Sequence, residues 1–254
     1  MIVHYKFAIR IPKSYPLEMA GPIMCAGVTM YSPLINNGVK EGTEVCIVAL
    51  GGLGQMGVRI AKALKAKVTV ISSSASKKEL AIKTGADEYI VSTEKEQMDS
   101  SSKKFDIILN TIPSYHDYLM YQPLLKDTGV QVLLGLHAGF AASMILTKLR
   151  GGKSRIKSSS IGSIKETQAV IDLVDKHKIY PDIKVVPCSQ LNQVYTDLDS
   201  NNATGSRYVL DIANTLKENI TCGIAPTIKP DNQYMSICTI VTELIGLIFC
   251  CRCL

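Results

Sequence analysis

Gly52, Gly54 and Gly57 follow the G-x-G-x-x-G spacing, directly after the apolar run 45–50 and ahead of a helix-type stretch over 58–64. A second apolar run, 68–71, comes next. Strand, glycine-rich turn, helix and strand in this order form the phosphate-binding unit of a dinucleotide site. The glycine positions have separate expected roles. Gly52 permits the tight turn, Gly54 lets backbone approach a pyrophosphate, and Gly57 lets helix and strand pack closely. The helix N-terminus then points its N–H groups at the phosphates.

The end of the second run discriminates between coenzymes. An NAD site holds Asp or Glu there, bonded to the ribose 2′-OH, and that carboxylate would repel a 2′-phosphate. Here residues 72–78 read Ser-Ser-Ser-Ala-Ser-Lys-Lys. Hydroxyl and ammonium groups suit a phosphate dianion. The expected coenzyme is NADP(H), with Ser72, Ser73 and Lys77 on its 2′-phosphate; the alternative is a solvated Ser/Lys turn.

The chain has 254 residues, 46% of them hydrophobic, enough for a sizeable core. Its net charge of +6 comes from scattered lysines and arginines without interleaved aromatics, so no nucleic-acid partner is expected. Residues 1–16 carry Lys6, Arg10 and Lys13 and no apolar leader. Cys25, Cys46 and Cys188 lie far apart, whereas the other five cysteines crowd the last stretch. The globular part reads as reduced and cytoplasmic.

These residues need elements to hold them. Strands are expected near 45–50, 67–72, 87–91, 105–110 and 130–136, with helices near 55–65, 77–84 and 115–125. This alternation predicts βαβ units and an α/β, doubly wound parallel sheet. Residues 1–20 alternate in polarity and predict an edge strand and loop; 24–34 predict a helix ending at Pro33; 96–104 predict a polar loop. Beyond 154, the pattern predicts a helix after the Ser-rich 158–163, a strand at 183–186, a short helix at 191–198 and a last strand at 207–212.

Residues 217–254 break this pattern. The run 235–251 is mostly apolar but carries Glu243 and reaches only the lower edge of the roughly 20 residues a spanning helix needs. This tail is expected to be a poorly packed or artefactual extension; membrane association through it is the alternative. The terminal Cys-Arg-Cys-Leu fits Cys-a-a-X poorly.

Residues 21–34 read Gly-Pro-Ile-Met-Cys-Ala-Gly-Val-Thr-Met-Tyr-Ser-Pro-Leu. Residues 51–58 read Gly-Gly-Leu-Gly-Gln-Met-Gly-Val, 83–87 Lys-Thr-Gly-Ala-Asp and 160–167 Ser-Ile-Gly-Ser-Ile-Lys-Glu-Thr. Together with 68–74 and 207–211, these segments resemble the zinc-dependent medium-chain alcohol dehydrogenases, and among them the cinnamyl alcohol dehydrogenase branch, over residues 5–216. The resemblance implies a Rossmann domain at 23–180, with remnants of a GroES-like catalytic domain at 1–22 and 181–216 and an atypical tail at 217–254. It implies hydride transfer between NADP(H) and a small alcohol or its aldehyde, with zinc polarising the substrate oxygen. A homodimer formed through the edge of the coenzyme sheet is implied as well.

By the same resemblance, Cys25 occupies the position of one zinc ligand; by its spacing alone it is a small buried hydrophobe. The family's other ligands, in a Cys-containing loop and a Gly-His-Glu motif, would precede this chain, and His4 is the only histidine upstream of Cys25. A catalytic zinc takes three protein ligands. The chain is therefore expected to be an N-terminally truncated dehydrogenase. The alternatives are an inactive NADP-binding fragment or a zinc-free medium-chain reductase.

The implied coenzyme contacts are Thr29 beside the nicotinamide and Leu50, Gly51, Gly52, Leu53, Gly54 and Gln55, with Gly57 behind them, around the pyrophosphate. Thr111 and Gly135 would line the cleft, Ser159, Ser160 and Ile161 would reach the nicotinamide amide, and Arg207 would lie near the coenzyme. His116, His137 and His177 are given no role.

Overall fold

Six parallel strands form one sheet in the computed structural model, which describes residues 4–114, 116–135, 155–199 and 205–216. They are β1 (Glu44–Val48), β2 (Lys67–Ser72), β3 (Glu88–Val91), β4 (Phe105–Asn110), β5 (Leu125–Leu133) and β6 (Ile156–Ser158), ordered β3-β2-β1-β4-β5-β6. This is the doubly wound order of two mononucleotide-binding halves, with the reversal between β1 and β4. The interior strands read as β-branched and aliphatic runs because both of their faces are covered.

Alternate residues of β1 show this two-sided burial. Val45 and Ile47 enter a core with Met30, Leu34, Met56, Ile60, Val170 and Val174. Cys46 and Val48 enter a second core with Met98, Phe105, Tyr121 and Leu124. The first face is covered by α2 (Val28–Asn36), α3 (Gly52–Ala63) and α6 (Ile164–His177). Helices α3, α4 (Lys78–Thr84) and α5 (Lys95–Ser100) cross between β1, β2, β3 and β4 in turn. A separate two-stranded parallel sheet, β7 (Ile183–Pro187) with β8 (Arg207–Asp211), flanks α7 (Leu191–Asp199).

Several expected elements differ. The N-terminal segment forms no strand among its described residues; Tyr5–Phe7 is a 3-10 turn and α1 spans Leu17–Pro22. A strand needs a neighbour's ladder, and here both backbone groups of Arg10 are satisfied by the Gln168 side-chain amide, with N–H···Oε1 of 2.8 Å and Nε2–H···O of 3.0 Å. Pro33 sits inside α2 and does not end it; the lost hydrogen bond is offset by burial of Met30, Pro33 and Leu34. A π-helical turn, Ile23–Gly27, leads into α2.

The expected loop at 96–104 contains α5, anchored by buried Met98 and by Gln97, whose Oε1 accepts the Val91 N–H at 2.9 Å. The helix expected at 115–125 is instead a 3-10 segment, Tyr118–Leu124. Strand β5 begins at Leu125, earlier than expected, and takes Gly129 in as a bulge. A Cβ there would stand 2.7 Å from the Phe105 carbonyl oxygen.

Candidate functional site: the carboxyl ends of the coenzyme sheet

Strand register places the candidate residues along one edge. Val48 pairs with Ile71 and Asn110, Asn110 with Leu133, and Leu133 with Ser158. These residues form a row across the sheet. Leu50–Gly51, Ser72–Ser73, Thr111, Gly135 and Ser159 all lie at or just beyond that row. Ligands of open α/β sheets bind in the crevice outside these carboxyl ends, at the reversal point.

The turn after β1 is built differently from expectation. Ala49 makes the tight reversal, at φ 72, with its N–H on the Ile71 carbonyl at 2.8 Å. Gly51 caps α3, and a Cβ at Gly51 would meet nothing within 4 Å. A Cβ on Gly54 would stand 2.1 Å from the Ala49 carbonyl oxygen. So Ala49 turns the chain, Gly51 leaves the approach open and Gly54 brings helix against strand. The fingerprint reads Ala49-x-Gly51-x-x-Gly54, a frame ahead of the expected triplet. Gly52 is not the turn residue; it faces Gly205, whose carbonyl oxygen would lie 2.5 Å from its Cβ, and the Arg207 Nε at 3.0 Å. Gly57 makes room for the Met30 methyl of α2, which would lie 2.2 Å from its Cβ, and for Ile47 of β1.

The β2 end is a compact hydroxyl turn. Ser72 is half-buried and Ser73 exposed. Ser74 and Ser76 share a hydroxyl bond of 2.7 Å, and the Tyr89 hydroxyl of β3 donates to the Ser74 carbonyl. Lys77 closes this turn, half-buried. The nearest downstream acid, Asp87, sits at the amino end of β3 and is bonded by Lys62 and the Val68 N–H. It does not reach the β2 carboxyl end.

At the other half, Thr111 ties two strands, its N–H and hydroxyl donating to the Val48 carbonyl at 3.1 and 2.8 Å. Gly135 is required sterically, since its Cβ would stand 1.9 Å from the Ile112 carbonyl oxygen. The Ser159 N–H donates to Leu133, while Ser160 and Ile161 are exposed. Buried Thr29 begins α2, and Cys25 is 6% exposed in the preceding π turn. Leu50 and Gln55 are buried and Leu53 lines the first turn of α3.

Three features escaped the sequence reading. Buried Asn110 bonds the His116 Nε2 at 2.8 Å and shapes the loop after β4. Gly205, at φ 69, packs on the glycine turn from far along the chain. Ser163 and Glu166 form a capping box at the start of α6, a signal present in the Ser-x-x-Glu spacing. The Ser163 N–H and hydroxyl first, then Ser32 and Asn36, hold the Glu166 carboxyl down to about 2, against the opposing effect of burial. His137 lies outside the described residues. A hollow of about 650 Å³ opens at the opposite, amino end of the sheet, around Lys40, Asp106 and Lys157, away from this crevice.

Residues 52–176 match the family described as zinc-binding dehydrogenases. Residues 52–176 therefore carry a zinc-binding dehydrogenase domain. The chain is similar to vomilenine reductase of Rauvolfia serpentina, at 41% identity over 219 residues, covering 85% of this chain and 60% of that protein. Its fold is that of a cinnamyl alcohol dehydrogenase from Sorghum bicolor, with a TM-score of 0.71 and 34% identity over 84% of this chain and 60% of that one. A cinnamyl alcohol dehydrogenase of Helicobacter pylori, complexed with NADP(H), matches at a TM-score of 0.68 and 32% identity, over 82% of this chain and 58% of that one. The chain thus spans about 60% of the length of the relatives it matches.

Among the described residues of the dehydrogenase domain and its flanks, no group of three or more His, Cys, Asp or Glu could hold a metal ion. The donor set among the described residues does not fit a catalytic zinc, which takes three protein ligands. No described helix is long and apolar enough to cross a membrane.

Proposed function

We propose that the chain binds NADP(H) across the carboxyl ends of β1, β2, β4, β5 and β6. We propose that the protein it represents is an alcohol dehydrogenase or aldehyde reductase acting on a small, cinnamyl-alcohol-like substrate. The observation that carries the coenzyme reading is the β2 end, where serine hydroxyls and Lys77 stand in place of an acid. The residues fit the coenzyme: Gly51 leaves its approach open, and the first turn of α3 presents N–H groups to a pyrophosphate. Arg207, lying against Gly52, adds a positive charge on the same side. Thr29, Thr111, Gly135 and Ser159–Ile161 would border the nicotinamide half.

Bound there, the coenzyme supplies or accepts hydride. The chain's own residues bind and orient it, and buried Thr29, at the start of α2, would border the reacting end. Among the described residues no group of three His, Cys, Asp or Glu supplies the ligands of a catalytic zinc. Coenzyme binding without turnover is the second reading for this polypeptide. The division into 1–22, 23–180, 181–216 and 217–254, a cytoplasmic setting and a homodimer through the edge of the coenzyme sheet belong to the same proposal.

Incubating the chain with NADPH, zinc and an aromatic aldehyde tests the choice. Zinc-dependent oxidation of NADPH above background supports the dehydrogenase reading. Tight NADPH binding without turnover supports the second, and absence of binding contradicts both.

A further inference from the structure

The loop after β6 would receive the nicotinamide half, and it is held from an unexpected direction. Gly162 packs directly on α2: its Cβ would stand 2.4 Å from Val28 Cγ2 and 3.2 Å from Ser32 Cβ. Glu166, one turn into α6, spans the same junction with both carboxylate oxygens. One oxygen accepts from the Ser163 N–H at 2.6 Å and the Ser163 hydroxyl at 2.7 Å. The other accepts from the Ser32 hydroxyl at 3.0 Å and the Asn36 Nδ2 at 2.9 Å.

A helix cap needs only the first oxygen. The second is committed to α2, the helix that carries Thr29 at its start. Ser32 is 4% exposed, so its bond to Glu166 is shielded from solvent on that side. Charge-assisted bonds to a carboxylate are stronger than neutral ones. The carboxylate therefore joins three elements: the end of the 159–163 loop, α2 and α6.

We propose that Glu166 is a positioning residue for the nicotinamide half of the coenzyme, fixing the Ser159–Gly162 backbone against α2. The proposal rests on the NADP(H) reading above. It assigns the adenosine half, at β1 and β2, no dependence on Glu166. Freeing the loop would make NADPH binding pay for ordering it, while a ligand ending at the adenosine phosphates would not notice.

Two full-chain variants separate this role from capping. Glu166→Gln keeps one acceptor for the Ser163 N–H and so keeps the cap, but its amide nitrogen cannot accept from Asn36. The double variant Ser32→Ala with Asn36→Ala cuts the same bridge from α2 and leaves the capping box whole. Calorimetric titration with NADPH and with 2′,5′-ADP, alongside hydrogen exchange of the 160–162 amides, reads the result. The expected outcome in both variants is NADPH binding weakened about tenfold, 2′,5′-ADP binding within twofold of the parent, and faster exchange at 160–162. NADPH affinity equal to the parent's in the double variant would reduce Glu166 to a helix cap and overturn the proposal. Equal losses for NADPH and 2′,5′-ADP would overturn it as well, by showing a general structural defect. A parent chain that binds neither ligand overturns the coenzyme reading itself and the loop's role with it.

Discussion

The Cβ that Gly54 lacks would stand 2.1 Å from the carbonyl oxygen of Ala49. The contact is backbone against backbone, between the first turn of α3 and the end of β1, so no side-chain rotation can relieve it. Gly54→Ala is expected to lower stability by about 1–3 kcal/mol, as overpacking does, and to weaken nucleotide binding. Gly57→Ala meets the flexible end of Met30 at 2.2 Å and is expected to cost less. Urea midpoints of the two variants check this; an equal or larger loss for Gly57→Ala would contradict it.

Ala49 holds a left-handed conformation, at φ 72, in which an L side chain is strained by about 1–2 kcal/mol. Glycine would remove that strain but loosen the unfolded chain by about 0.4–1 kcal/mol. Ala49→Gly should therefore leave stability unchanged or raise it by up to about 1.6 kcal/mol. Thermal unfolding measures it, and a clear loss of stability would contradict the assignment of Ala49 as the turn residue.

Lys77 closes the hydroxyl turn after β2. Replacing it by Glu puts a carboxylate where the 2′-phosphate is proposed to lie. A charged hydrogen bond contributes about 1.5–3 kcal/mol, so NADPH affinity should fall tenfold or more while NADH affinity changes little. Parallel fluorescence titrations decide it, and equal losses would place the adenosine ribose elsewhere.

The carboxyl of Glu166 is held at about 2, below its usual 4.5. A depressed folded-state value contributes stability that is present above about pH 4.5 and is lost as the pH falls toward 2. The contribution is on the order of 1 kcal/mol, because the partly exposed carboxylate is screened by solvent. Denaturant midpoints from pH 6 to pH 3 should fall more steeply in the parent than in Glu166→Gln; parallel profiles would contradict this.

The strands of the sheet were legible because buried parallel strands are unbroken apolar runs, as in 45–48 and 107–109. The hydroxyl turn after β2 was legible for the same reason, since it follows such a run directly. The glycine frame differs from the expected one because Ala49 occupies the turn position, and the first complete glycine triplet in the sequence begins three residues later, at Gly52. Alternation at 5–11 suggested a strand, but pairing depends on a neighbour, and Gln168 supplies both hydrogen bonds that Arg10 needs. Helix α5 left no periodic apolar signal because it is held by one buried side chain, Met98, and by the Gln97 amide on the Val91 N–H. The approach of Gly205 to Gly52, and of Glu166 to Ser32 and Asn36, depends on contacts between distant segments that no local pattern encodes.

Titration of the intact chain with NADPH and NADH under one set of conditions tests the central claim most directly. The hydroxyl and ammonium groups at the end of β2 predict NADPH binding at least tenfold tighter. Equal affinity, or preference for NADH, would contradict it.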